Sequence, residues 1–188
     1  DPMVARMADS CPGQVTFFAC DIHHPVMATH RALGKRIIYL DGDAIVACEG
    51  RFTHRVPLSE IPVTANGAIG FQIENAMAAL GAGWALGLDW DVIHAGLAGF
   101  VNDASSAPGR FNLFDYRGAT LIADYGHNPD AIQALVNAIE KMPCTSDCRR
   151  TVVISGAGDR RDEDIRQQTE ILGDAFDQIG RASCRERV

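Results

Sequence analysis

Basic residues are in deficit in this 188-residue chain: 17 Lys and Arg stand against 24 Asp and Glu, a formal charge of −7. Broad nucleic-acid binding needs Lys and Arg to displace phosphate counterions, so no nucleic-acid partner is expected. Long apolar runs are missing as well. The longest uncharged apolar stretch, Ala76 to Leu88, is too short for a bilayer and is broken by glycines, so no membrane partner is expected. No signal peptide is visible, and the chain begins at Asp1 rather than Met, as a piece of a longer protein would. The cysteines Cys11, Cys20, Cys48, Cys144, Cys148 and Cys184 form neither a Cys-x-x-Cys pair nor a dense framework. They read as reduced thiols of a cytoplasmic protein. Cys144 and Cys148 would be half a metal site with no second half, and His23, His24 and His30 read as surface or loop residues; no metal ligand is assigned. What is present is ordinary for a folded domain: 47% apolar and 22% charged residues, enough to bury a core.

The first seventy residues carry strand signals. Val15–Ala19 and Arg36–Leu40 are short apolar runs, and Asp41-Gly42-Asp43 is a hairpin-type turn into Ala44–Cys48. Two prolines between Arg51 and Val63 suit an edge strand or connector. From Gly70 the period changes. Phe71–Leu86 is apolar nearly all round, with small residues that permit close approach, and predicts a buried helix. Within it a buried Asn75 would be either a structural hydrogen-bonder or a ligand contact. Asp91–Phe100 predicts a second short helix, and Val101–Gly109 has linker composition, which puts a domain boundary near residue 105.

Beyond it the pattern is β-α-β-α. Ala119–Asp124 and Thr151–Ser155 read as strands buried on both faces, as in a parallel sheet. The helix after the first starts at Asn128-Pro129-Asp130, where a favoured cap, a favoured first residue and an acidic first turn agree. Asp162–Phe176 predicts the second helix. The alternation gives a Rossmann-like half-domain, so the fold class is α/β. After Ile179 the periodicity stops, and Gly180–Val188 reads as a non-native tail.

In open α/β sheets ligands bind beyond the carboxyl ends of the strands. Asp124 closes the first strand, with His127 beside the start of a helix; Gly156, Gly158, Asp159, Arg160 and Arg161 follow the second. A carboxylate accepts ribose hydroxyls, and His and Arg near a helix N-terminus suit phosphate, so these residues point to a nucleotide or another phosphorylated ligand. Alternatively Asn128–Asp130 only caps a helix, and Asp159 and Arg160 pair on the surface. Gly156-x-Gly158 lacks the third glycine of a dinucleotide fingerprint, which disfavours an oxidoreductase.

Asn75–Ala79, Pro108-Gly109-Arg110, Asp124–Asp130 and Gly158-Asp159-Arg160, in that order and spacing, resemble the Mur ligase superfamily. Within it, the longer stretches around these motifs are similar to the branch that adds arginine to a poly-aspartate backbone. The resemblance covers residues 1–179. It implies that 1–105 are the C-terminal part of a central ATPase domain, 106–179 the start of a C-terminal domain, and 180–188 the tail. It also implies an ATP-dependent amide-bond ligase acting through an acyl phosphate, and a homo-oligomeric full-length enzyme. By that resemblance Gln72 and Asn75 would face adenine, Arg110 would reach the nucleotide from a domain hinge, and Asp124 would hold the ribose. His127 would lie toward the phosphates, and Asp159 and Arg160 toward the substrate. The family's Gly-x-x-Gly-Lys-Thr phosphate loop is missing from this sequence, and its Mg2+ ligands would lie outside these residues. This chain alone is therefore expected to be inactive. A peptidoglycan-precursor or folylpolyglutamate ligase, or a non-catalytic nucleotide-binding module, are the alternatives.

Overall fold

The computed structural model describes residues 2–143, 148–154 and 161–182. The chain divides into two compact units, Asp1–Val101 and Asn102–Val188.

The first unit is a four-stranded sheet with helices packed on it. It runs α1 (Pro2–Arg6), β1 (Phe17–Ala19), α2 (Pro25–Ala32), β2 (Ile37–Asp41), β3 (Ala44–Glu49), β4 (Phe52–Pro57), α3 (Gly70–Ala85) and α4 (Trp90–Gly99). The spatial order is β1-β2-β3-β4, with β1 and β2 parallel and the rest antiparallel. Two-residue loops join β2 to β3 and β3 to β4, fixing Asp41 opposite Ala44 and Glu49 opposite Phe52. The proline-bearing strand β4 takes the edge, where a missing N–H costs no ladder bond. The core gathers Ile38, Ile45 and Val56 from the sheet against Ile73, Met77 and Leu80 from α3 and Ile93 from α4.

The small residues of α3 set how closely it packs. A Cβ on Gly81 would stand 3.0 Å from Ile38 Cδ1, and one on Gly83 would stand 3.1 Å from Ile93 Cγ1. The helix is nonetheless buried on one face only. Gln72, Ile73, Ala76, Met77, Leu80, Gly83 and Trp84 are covered, whereas Asn75, Ala78, Ala79 and Ala82 are exposed. This corrects the expectation of a helix buried all round: alanine is compatible with either environment, so its abundance does not report coverage. His30 also departs from the surface reading. It is buried on α2, its Nε2 3.0 Å from the Val15 carbonyl oxygen and its ring edge-on to Phe17.

The second unit runs β5 (Asn112–Tyr116), β6 (Ala119–Ala123), α5 (Pro129–Glu140), β7 (Thr151–Ile154), α6 (Asp162–Ala175) and β8 (Gln178–Arg181). Strands β7 and β8 are parallel with α6 between them, the βαβ arrangement expected of an α/β fold. β6 differs from expectation, because it pairs antiparallel with β5 in a hairpin. Arg117 and Gly118 turn that hairpin with φ of +53° and +81°, as a tight two-residue loop requires. Neither β6 nor β7 is buried on both faces, since each belongs to a two-stranded sheet. Gly180 and Arg181, the first residues of the segment read as a tail, take part in β8. Cys148 corrects the all-thiol expectation: it is disulfide-bonded.

Candidate functional site

The site residues in the second unit are brought together by two short hydrogen bonds between segments distant in sequence and a third within one loop. The Tyr125 N–H donates to the Gly109 carbonyl at 2.8 Å, and the Phe111 N–H donates to Asp124 Oδ2 at 2.9 Å. The Gly126 N–H donates to Asp124 Oδ1 at 2.6 Å. Asp124, at the end of β6, therefore clips the Pro108–Phe111 turn to its own loop. A Cβ at Gly126 would meet Asp124 Oδ1 at 2.9 Å, so glycine is needed there for close approach.

Arg110 is positioned by the same staple. Its guanidinium carbon lies 5.8 Å from the centre of the Tyr125 ring, and that ring lies 5.2 Å from the ring of His127. Its carbonyl accepts from Asn102 Nδ2 at 2.7 Å, while buried Phe111 turns the chain with φ of +52°. Asn112, 1% exposed, accepts from the Gly109 N–H at 2.7 Å and donates to the Ala107 carbonyl at 3.0 Å. The segment of linker composition is thus a hydrogen-bonded loop. Asp103 Oδ1 accepts from the N–H and hydroxyl of both Ser105 and Ser106. Those bonds, led by the Ser106 N–H, hold the Asp103 carboxyl well below the usual range, at about 2.

His127 Nδ1 stands 3.0 Å from the Tyr125 carbonyl oxygen. A carbonyl only accepts, so Nδ1 carries the hydrogen, and Nε2 of the neutral ring is the acceptor. The His127 carbonyl in turn accepts from buried Gln168 of α6 at 3.0 Å. Gln168 went unnoticed at the sequence level, where it is one of several polar residues on an amphipathic helix. The start of α5 is occupied: Pro129 has no N–H, and those of Ala131 and Ile132 donate to the side chain and carbonyl of Asn128. Asn128 is a cap here, and that helix start offers an anion little.

In the first unit, Gln72 and Asn75 stand one turn apart on α3, and Asn75 Nδ2 donates to Gln72 Oε1 at 3.0 Å. The burial considered for Asn75 is not found: Asn75 is exposed, and Gln72 is the buried one of the two. Burial, and then the nearby Glu74 charge, push the Cys20 thiol up, which places that carboxylate near the end of β1. Asp159 and Arg160 lie outside the described residues. The described residues therefore form two groups, Gln72 with Asn75 in the first unit and Arg110, Asp124 and His127 in the second. A cleft of about 780 Å³ in the second unit is lined by Asp124, Gly126, His127, Arg150 and β7, a size suited to a small ligand.

Residues 109–184, which contain the whole Arg110–Asp124–His127 group, match the Mur ligase, glutamate ligase domain, and that part of the chain belongs to this family. Cyanophycin synthetases are similar along almost the full chain. That of Geminocystis herdmanii is 35% identical over 95% of this chain and 20% of its own length. A 2,6-diaminopimelate-adding UDP-N-acetylmuramoyl-L-alanyl-D-glutamate ligase of Geobacter sulfurreducens is 33% identical over 55% of this chain and 19% of its own. Among solved structures, a folylpolyglutamate synthase of Thermotoga maritima aligns at 23% identity and a TM-score of 0.45, over 85% of this chain and 44% of that one. The chain spans about a fifth of the length of the cyanophycin synthetases it matches.

Proposed function

We propose that this chain is the part of an ATP-dependent amide-bond ligase that holds the nucleotide, and that the complete enzyme adds arginine to an aspartate-backbone polymer in the cytoplasm. The observation that carries this reading is the staple that sets Arg110 beside the Asp124–His127 loop. It presents a cation, a carboxylate and an imidazole from two loops clipped together, the set of groups a ribose and phosphates require.

ATP, when bound, supplies the phosphoryl group that converts the acceptor carboxylate into an acyl phosphate open to an amine. Asp124 has both oxygens fixed by backbone N–H groups, yet each oxygen retains a lone pair that accepts a ribose hydroxyl. Arg110 supplies positive charge toward phosphate oxygens, its side chain braced on Tyr125. His127, with its hydrogen on Nδ1, offers Nε2 as a proton acceptor, or a donor once protonated. Asn75, anchored by Gln72 and exposed, offers one acceptor and one donor to a base edge. Asp159 and Arg160 are assigned to the substrate side, and the Mg2+ ligands to segments beyond this chain. The domain roles assigned to 1–105, 106–179 and 180–188, and a homo-oligomeric full-length enzyme, belong to the same proposal.

The test is a cyanophycin synthetase in which the matching fifth is replaced by residues 1–182 of this chain. ATP-dependent incorporation of arginine into a poly-aspartate primer is expected from the chimera, and none from the isolated chain. Incorporation of diaminopimelate or glutamate in place of arginine would assign the chain to a neighbouring ligase. Incorporation by the isolated chain would overturn the assignment of the remaining machinery to other segments.

A further inference from the structure

The first unit contains a pair of titratable groups that the ligase reading leaves unused. His54 of β4 and His94 of α4 meet ring to ring, Nε2 to Nε2 at 2.7 Å, with the rings nearly perpendicular. Two nitrogens at that distance share one hydrogen: one donates and the other accepts. His94 Nδ1 lies 3.7 Å from Glu60 Oε2, in the 3-10 turn Leu58–Glu60 that follows β4. His54 is stacked on Trp90 of α4 with ring centres 4.0 Å apart, and Phe52 stacks on its other neighbours, 6.4 Å from His54 and 5.6 Å from Trp90. The charged groups facing the pair are Asp91 of α4 and Glu60; from α3 comes the uncharged Trp84, itself covered by Arg36 of the segment before β2. No third His, Cys or carboxylate among the described residues joins them in a metal-binding group.

We propose that His54 and His94 form a proton-operated latch that fastens α4 to the edge strand β4. With both rings neutral, one Nε2–H donates to the other ring. A proton on His94 leaves the contact intact, because its Nδ1–H then faces Glu60 while its Nε2–H donates to His54. A second proton must go onto His54 Nε2. Two N–H groups then point at each other, no acceptor remains between them, and the contact is lost. Burial first, and then the His94 charge, lower the proton affinity of His54, against a smaller opposing pull from Asp91. The folded pKa of His54 lies below its unfolded value of about 6.5. The latch therefore contributes fully above that pH, and its contribution is lost as pH falls below it toward the lowered folded value.

Amide hydrogen exchange on the full chain tests the latch, comparing Ile93–Leu97 of α4 with Met77–Leu80 of α3 after correction for intrinsic rates. Between pH 7.5 and 5.0 the protection of α4 is expected to fall about tenfold relative to that of α3. His54→Phe, which keeps the stack on Trp90, and His94→Gln should reduce that differential to less than about twofold. An equal fall in the wild type and both variants, or no differential in the wild type, would overturn the proposal. Should either variant fail to fold, ring titration by NMR in the wild type decides: His54 titrating below about 6.5 supports the latch, and His54 titrating at or above it overturns it.

Discussion

A single carboxylate holds the turn at the end of β6. Asp124 accepts the Phe111 and Gly126 N–H groups, and the proposed function sets that turn against a nucleotide. Asp124→Asn replaces one accepting oxygen with a donor, so one of those bonds must be lost. Unfolding in urea should show the second unit destabilised by about 1 kcal/mol, the low end for bonds to a charged group because the loop is exposed. Arg110→Ala removes no backbone bond, since the staple runs through the main chain of residues 109 and 111. In the chimeric ligase it should raise the ATP KM about tenfold with stability unchanged; unaltered kinetics would remove Arg110 from the nucleotide. Asp103 carries a pH prediction. Its folded pKa, about 2, lies below the ordinary value of 3.8, so its stabilisation of the Ser105–Ser106 turn is complete above the ordinary value. It is lost as pH falls through about 2, and amide exchange of Ser105 and Ser106 should follow that course.

At the scale of elements, the loop before β5 rests on Asn112. Asn112→Ala leaves the Gly109 N–H and the Ala107 carbonyl without their partner, and should cost about 2–3 kcal/mol in denaturant unfolding. Asn128→Ala, which removes only the cap on α5, should cost about 1 kcal/mol. Helices α3 to α6 were legible because each announces itself locally, as where Asn128-Pro129-Asp130 caps and starts α5 and Ile132 and Val136 repeat on its buried face; α1 and α2, short and set among strand signals, were not. The hairpin β5–β6 was not. Its turn is Arg117-Gly118, with Arg in the left-handed region, a weaker sign than Asn-Gly. Ala119–Ala123 is apolar enough to pass for an interior parallel strand, and pairing partners are not written in composition. The loop of linker composition misled for a related reason. Asn102, Asp103, Ser105 and Ser106 are residues that either solvate a flexible joint or bond its backbone, and here they do the second. Of the candidate site, Asp124 and His127 were identifiable by residue type just beyond a strand end, and Arg110 only through the family resemblance. The supports Asn112 and Gln168 were hidden, since only burial distinguishes them from ordinary surface amides.

At the scale of the whole molecule, the chain forms two compact units and spans about a fifth of the length of the cyanophycin synthetases it matches. No described helix is long and apolar enough to cross a membrane. The central claim is that the second unit grips a nucleotide through the Asp124 turn for amide-bond synthesis. Steady-state kinetics of the chimeric ligase with and without Asp124→Ala test it most directly. The account predicts an ATP KM raised at least about tenfold with the arginine KM unchanged. An unchanged ATP KM, or an effect confined to the arginine KM, would contradict it.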